Sequence, residues 1–142
     1  MGTSRITLVF DVPKPPAVVF AHLAEPPLFV AIHPVISRME ATGPGQYLVH
    51  ETLKLGRWPY SFTYPATIEA DQAAHTVRVR ATVRRLVHIQ MDFRLSSSDG
   101  GTTVHETVTF RSWLPLGPLM APVFRQQHAR LFANLGAVAE LG

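Results

Sequence analysis

The sequence predicts an α+β domain spanning residues 1–142, in which one strand, two short helices, about six antiparallel strands and one long terminal helix follow in order. Three observations predict it. The amino terminus alternates apolar and polar residues. From Val35 to Trp113 alternating runs are separated by turn residues. After them apolar residues recur at three- and four-residue steps.

In "RITLVFDV", Ile6, Leu8 and Phe10 alternate with Arg5, Thr7, Val9 and Asp11, the pattern of a half-buried strand. "PKPPAVVFAHLA" then places Pro16 where a first helical turn tolerates proline, with Val19, Phe20 and Leu23 at helical spacing. "EPPLFVAIHP" has room for one further short helix. The β region follows, with turns at "TGPGQ", "LGRWP", "EADQAAH" and "SSSDGG". One more turn is needed between Val83 and Val87, although "RRL" supplies no Gly, Pro or Asn. Beyond the "LPLGP" corner, Met120, Phe124, Gln127, Leu131, Leu135 and Val138 form the stripe of an amphipathic helix. Pro122 fits that helix only in its first turn.

At 142 residues the chain can hide roughly 70% of the surface of its unfolded form, enough for one sizeable core. Without cysteine it has no disulfide framework and no thiolate metal site. The start "MGTSRITLVF" lacks the layout of a secretion signal, and no apolar run approaches the roughly 18 residues that span a bilayer. A cytoplasmic protein is therefore expected. The net charge of +3, with arginine outnumbering lysine, is a weak pointer to an anionic partner.

The element order, with "FDVPKPPAVVFAHLAEP", "FVAIHPV", "GGTTVHETVTF" and the "LPLGPL" corner, resembles the START-related SRPBCC superfamily, which includes bacterial polyketide cyclase/dehydrase-like proteins. The resemblance covers nearly the whole chain. It implies the helix-grip fold, a curved antiparallel sheet of about seven strands wrapped around the C-terminal helix with a mostly apolar cavity between them. It implies a container and identifies no reaction.

Two carboxylates break the apolar faces. Glu51 shares its parity with Tyr47, Val49, Leu53 and Leu55, and Glu106 with Val104, Val108 and Phe110. A dry core does not accommodate them, whereas a cavity holding water would, and limited solvation would raise their pKa values toward proton transfer. They are the catalytic candidates. Two other readings stay open: a β-bulge turns one glutamate outward, or an arginine or Gln127 satisfies it.

A ligand wall is expected from Tyr60, Phe62 and Tyr64, which share a face with Trp58, and from Met91 and Phe93, which share one with Val87 and Ile89. Phe124, Gln127 and Leu131 would face it from the terminal helix. The same residues would equally serve as core. His33 stands at a junction that the resemblance puts near the cavity opening, where contact with ligand competes with capping or packing.

The histidines, His22, His33, His50, His75, His88, His105 and His128, form no HxH or HExxH pattern, so no metal is expected. No GxSxG elbow and no glycine-rich phosphate loop is present, and no cofactor is expected. Arg78, Arg80 and Arg84 read as one face of a strand that could track phosphates but is ordinarily a solvated outer face, so nucleic acid is not the expected partner. At the corner, Trp113, Leu114 and Leu116 read as a gate, a point of transient membrane contact, or packing beneath the helix.

The leading expectation is binding or transport of a small hydrophobic molecule, such as a lipid, isoprenoid, aromatic or polyketide-like compound, by a monomer or homodimer. The alternatives are a cyclase-, dehydratase- or isomerase-type enzyme using a cavity glutamate as acid or base, and a regulatory module binding RNA or protein through its arginine-bearing face.

Overall fold

A computed structural model describes residues 2–55, 57–113 and 117–139. Its elements are β1 (Gly2–Val12), α1 (Pro16–Ala24), α2 (Pro26–Ile32), β2 (Ile36–Gly43), β3 (Gln46–Leu55), β4 (Trp58–Asp71), β5 (Thr76–Val83), β6 (Val87–Ser98), β7 (Gly101–Ser112) and α3 (Gly117–Gly136). This is the expected α+β helix-grip order. All seven strands form one antiparallel sheet in the order β1-β7-β6-β5-β4-β3-β2. The first strand therefore returns to pair with the last, and the two short helices bridge from one sheet edge to the other.

Period-two alternation buries one face of each central strand. In β7, Thr102, Val104, Glu106, Val108, Phe110 and Ser112 are all buried, while the residues between them are partly open or, at Arg111, exposed. The core joins these positions to Val19 and Leu23 of α1, Phe29 and Ile32 of α2, and Leu131, Phe132 and Leu135 of α3. Fully burying one such aliphatic or aromatic side chain contributes roughly 1.5–3 kcal/mol. Asn134 Nδ2 donates to the Ile32 carbonyl at 2.8 Å, tying α3 to the end of α2.

In the "DGGTT" hairpin, Gly100, Gly101 and Thr102 each have a physical reason. Gly100 holds φ +80°, which side chains other than glycine rarely adopt. A Cβ on Gly101 would collide with the Val12 carbonyl oxygen. Buried Thr102 donates from Oγ1 to the Lys14 carbonyl at 2.7 Å.

The turn at "RRL" forms without glycine because Arg84 and Arg85 themselves adopt φ +53° and +58°. Arg84 consequently leaves the strand face on which it was expected with Arg78 and Arg80. Those two are exposed on the outer face and pair laterally, Arg78 with Asp92 at 2.5 Å and Arg80 with Glu69 at 3.2 Å.

Pro122 also departs from expectation. The helix begins at Gly117, so the proline lies in the second turn and leaves the Pro118 carbonyl without its helical donor. Pro118 and Pro122 are both exposed, which allows water to satisfy that carbonyl. The corner residues Leu114 and Leu116 lie outside the described residues, and Trp113 beside them is exposed.

Candidate functional site

Strand register decides where the two glutamates point. β3 pairs with β4 without interruption from Gln46 to Leu55, with Glu51 opposite Phe62. The bulge lies across from it, on edge strand β2 between Ile36 and Arg38, so Ser37 absorbs the extra residue and Glu51 keeps its inward parity. Glu106 is likewise in unbroken register with both neighbours, opposite Leu8 on β1 and Phe93 on β6.

Between the concave sheet face and the first half of α3 lies a cavity of about 230 Å³. Aliphatic and aromatic side chains make most of its wall, among them Phe62, Val83, Val87, Met91 and Phe124. Glu51, Tyr64, His33, His128 and Gln127 supply its polar groups. A groove of about 780 Å³ adjoins it between α3 and the β2–β3 edge, sharing Ile36, Leu53, Val123 and Gln127. Lys54 and Arg130 lie along that groove.

The polar cluster has fixed hydrogen-bond roles. Tyr64 donates its phenol proton to Glu51 Oε1 at 2.8 Å. Burial raises the Glu51 carboxyl above its usual value, opposed by that hydrogen bond and by the electrostatic influence of the nearby His128. Burial, then the adjacent Glu51, raises the Tyr64 phenol as well, so it stays protonated at neutral pH.

His33 Nδ1 accepts from two backbone N–H groups, Val35 at 3.1 Å and Ile36 at 3.0 Å. Its ring proton therefore sits on Nε2. Burial, reinforced by His128, pushes its pKa down to about 3 and keeps the ring neutral. His33 thus caps the turn after α2 and lines the cavity at once.

His128 Nδ1 lies 2.7 Å from Glu106 Oε1 and 2.6 Å from Oε2. The ring N–H donates to the carboxylate, and Glu106 Oε2 has no further hydrogen-bond partner among the described residues. Both residues are buried, with Phe124 and Phe93 packed against the imidazole. With Nδ1 held by the carboxylate, Nε2 is the nitrogen left to accept a proton.

The expected wall residues separate by position. Glu51, Phe62, Tyr64, Met91, Phe124 and Gln127 line the cavity. Phe93 and Leu131 belong to the fully covered core, and Glu106 stands behind His128. Tyr60 continues the β4 aromatic row, its ring 5.5 Å from Phe62, but is 38% exposed with the Arg84 guanidinium over it. The row outruns the core because β4 begins well beyond the end of β5.

His128 is the site residue that sequence reasoning did not single out. Its signal was its place four residues after Phe124 and three before Leu131, inside the apolar stripe. Among the described residues, no three His, Asp or Glu side chains gather as a metal-binding group.

Residues 3–140 match the family described as polyketide cyclase/dehydrase and lipid transport. No curated protein matches the sequence. Solved structures share the fold over nearly full length. Ara h 8.0201 is 21% identical with a TM-score of 0.75, covering 96% of this chain and 97% of its own. The Zhui aromatase/cyclase from Streptomyces is 15% identical with a TM-score of 0.72, at 96% and 93% coverage. A START superfamily protein from Mycobacterium smegmatis is 12% identical with a TM-score of 0.76, at 96% of both chains. At these identities the likeness is one of fold.

Proposed function

The chain belongs to the polyketide cyclase/dehydrase and lipid transport family, and from that premise we propose that it binds a small hydrophobic molecule carrying an oxygen function in the cavity between sheet and α3. The observation that carries this reading is an apolar wall interrupted by a set of buried or partly buried polar groups with assigned hydrogen-bond roles. In this reading the apolar surface supplies affinity, and His33 Nε2–H and the Glu51–Tyr64 pair orient a carbonyl or hydroxyl.

A volume of about 230 Å³ lies below the roughly 300–1,000 Å³ of drug-sized sites, so a compact ring system fits it, and a longer lipid or polyketide-like chain would extend along the adjoining groove. The test is native mass spectrometry of freshly purified protein with solvent extraction of any adduct. A stoichiometric apolar adduct that is lost in Met91→Trp, which fills the cavity, supports the reading. An apolar adduct retained by a folded Met91→Trp variant sinks it.

A second reading, an acid–base enzyme of the cyclase, dehydratase or isomerase kind, rests on the Glu106–His128 pair. Here His128 Nε2 removes a proton from a bound carbonyl compound, Glu106 holds the ring and stabilises its charged form, and His33 Nε2–H donates to the developing oxyanion. The cavity glutamate of the expected mechanism thereby becomes a positioning group, and the base is a histidine. Glu106→Gln separates the two readings: it lowers a proton-transfer rate about a hundredfold or more and leaves apolar affinity nearly unchanged.

A further inference from the structure

We propose that the end of the sheet formed by the β3–β4 and β5–β6 turns docks on the surface of an anionic lipid bilayer. Both tryptophans of the chain are there, Trp58 exposed by 74% and Trp113 by 77%. Leu86 and Leu119 are exposed by 55% and 70%. Tryptophan is usually well covered in a folded domain, and large apolar side chains exposed together mark contact sites.

Strand register brings these residues to one end. Ser112 pairs with Val87, which closes the turn holding Leu86, so Trp113 follows directly beside that turn. The Arg84 guanidinium lies 5.3 Å from the centre of the Tyr60 ring, which links the same turn to the start of β4 and to Trp58. Leu119 stands in the first turn of α3, whose next residues, Met120 and Val123, line the cavity with Val83 and Val87.

Charge selects the partner. Arg57, Arg84 and Arg85 are exposed in these two turns, and no carboxylate lies in either of them. Asp71 and Asp99 belong to the turns at the opposite end, and Asp11 lies near it, paired in register with Thr103. The two turns thus present arginines and interfacial aromatics without an acid, whereas the opposite end carries Asp71 and Asp99 together with Arg94, which pairs in register with Thr76. Indole rings settle at the headgroup level and arginines attract anionic lipid. Leu86 and Leu119 favour a bilayer over single-stranded RNA, because they bury area in acyl chains and offer no ring for stacking on bases. The proposal stands on this surface and holds whether or not the cavity carries a ligand.

The two tryptophans are the probes. The full chain is mixed with phosphatidylcholine vesicles with and without 30 mol% phosphatidylglycerol, and tryptophan emission and co-sedimentation are read together. The expected result is a blue shift and sedimentation with the anionic vesicles. Arg84→Asn with Arg85→Asn, which asparagine's tolerance of positive φ permits, weakens partitioning about thirtyfold. Trp58→Ser with Trp113→Ser abolishes sedimentation. Sedimentation without a blue shift overturns the docking geometry. A chain that ignores both vesicle types, or is quenched only by a single-stranded RNA oligonucleotide, overturns the proposal.

Discussion

His128 donates from Nδ1 to Glu106 Oε1 at 2.7 Å in a part of the core where Glu106 is fully covered. Removing one member of a buried charged pair strands the other, whereas replacing both with apolar groups does not. Glu106→Leu alone is expected to cost about 3 kcal/mol, and Glu106→Leu with His128→Phe is expected to regain most of that. Urea unfolding of the four proteins in the cycle measures the coupling. Simple additivity of the two changes would show that the pair is not an energetic unit.

Glu51 makes stability depend on pH in a defined direction. Its carboxyl is raised in the folded state, so its contribution is intact below the usual 4.5 and is lost as pH rises through the folded value. Glu51→Gln keeps an acceptor for the Tyr64 hydroxyl and removes the charge. The variant is expected to be more stable than wild type at pH 8 and equal to it at pH 4. An equal difference at both pH values contradicts the burial argument.

His33 acts in the opposite sense. Its folded pKa is pushed down to about 3 from 6.5, so the unfolded chain takes up the proton first and stability falls as pH drops between those values. The slope from this one group is at most about 1.4 kcal/mol per pH unit. His33→Asn retains an acceptor for the Val35 and Ile36 N–H groups and cannot titrate. Its acid unfolding curve should be shallower by up to one proton, and an unchanged proton uptake would refute the assignment.

Gly101→Ala places a Cβ against the Val12 carbonyl, a backbone atom with no rotamer to move. The expected loss is about 3 kcal/mol, the upper end of overpacking effects. Gly100→Ala meets no atom within 4 Å but must hold φ +80°, so a cost near 1 kcal/mol is expected, of the order of a single strained backbone position. Thermal unfolding of the two variants ranks them, and a reversed order would contradict the steric account.

The order of elements was legible because each is a local pattern: alternation marks β1 and β7, prolines mark the starts of α1 and α2, and a three/four spacing marks α3. The inward parity of Glu51 and Glu106 was legible for the same reason, since a strand alternates whatever it later packs against. The place of Pro122 was not legible, because local helix rules do not register that an exposed carbonyl, that of Pro118, can be left to water.

Partnership was not legible. A histidine inside an apolar helical stripe carries no sign of which strand it will meet, and Glu106 and His128 lie 22 positions apart. Likewise, nothing local distinguishes Phe62, on the cavity, from Phe93, in the solid core, because both sit at buried parities. The sequence alone determined which side chains face inward and that two of them are carboxylates. Only the tertiary structure decided that Tyr64 holds one and His128 the other, because hydrogen-bond pairing depends on distances set by how the sheet closes over α3, and local periodicity contains no such distances.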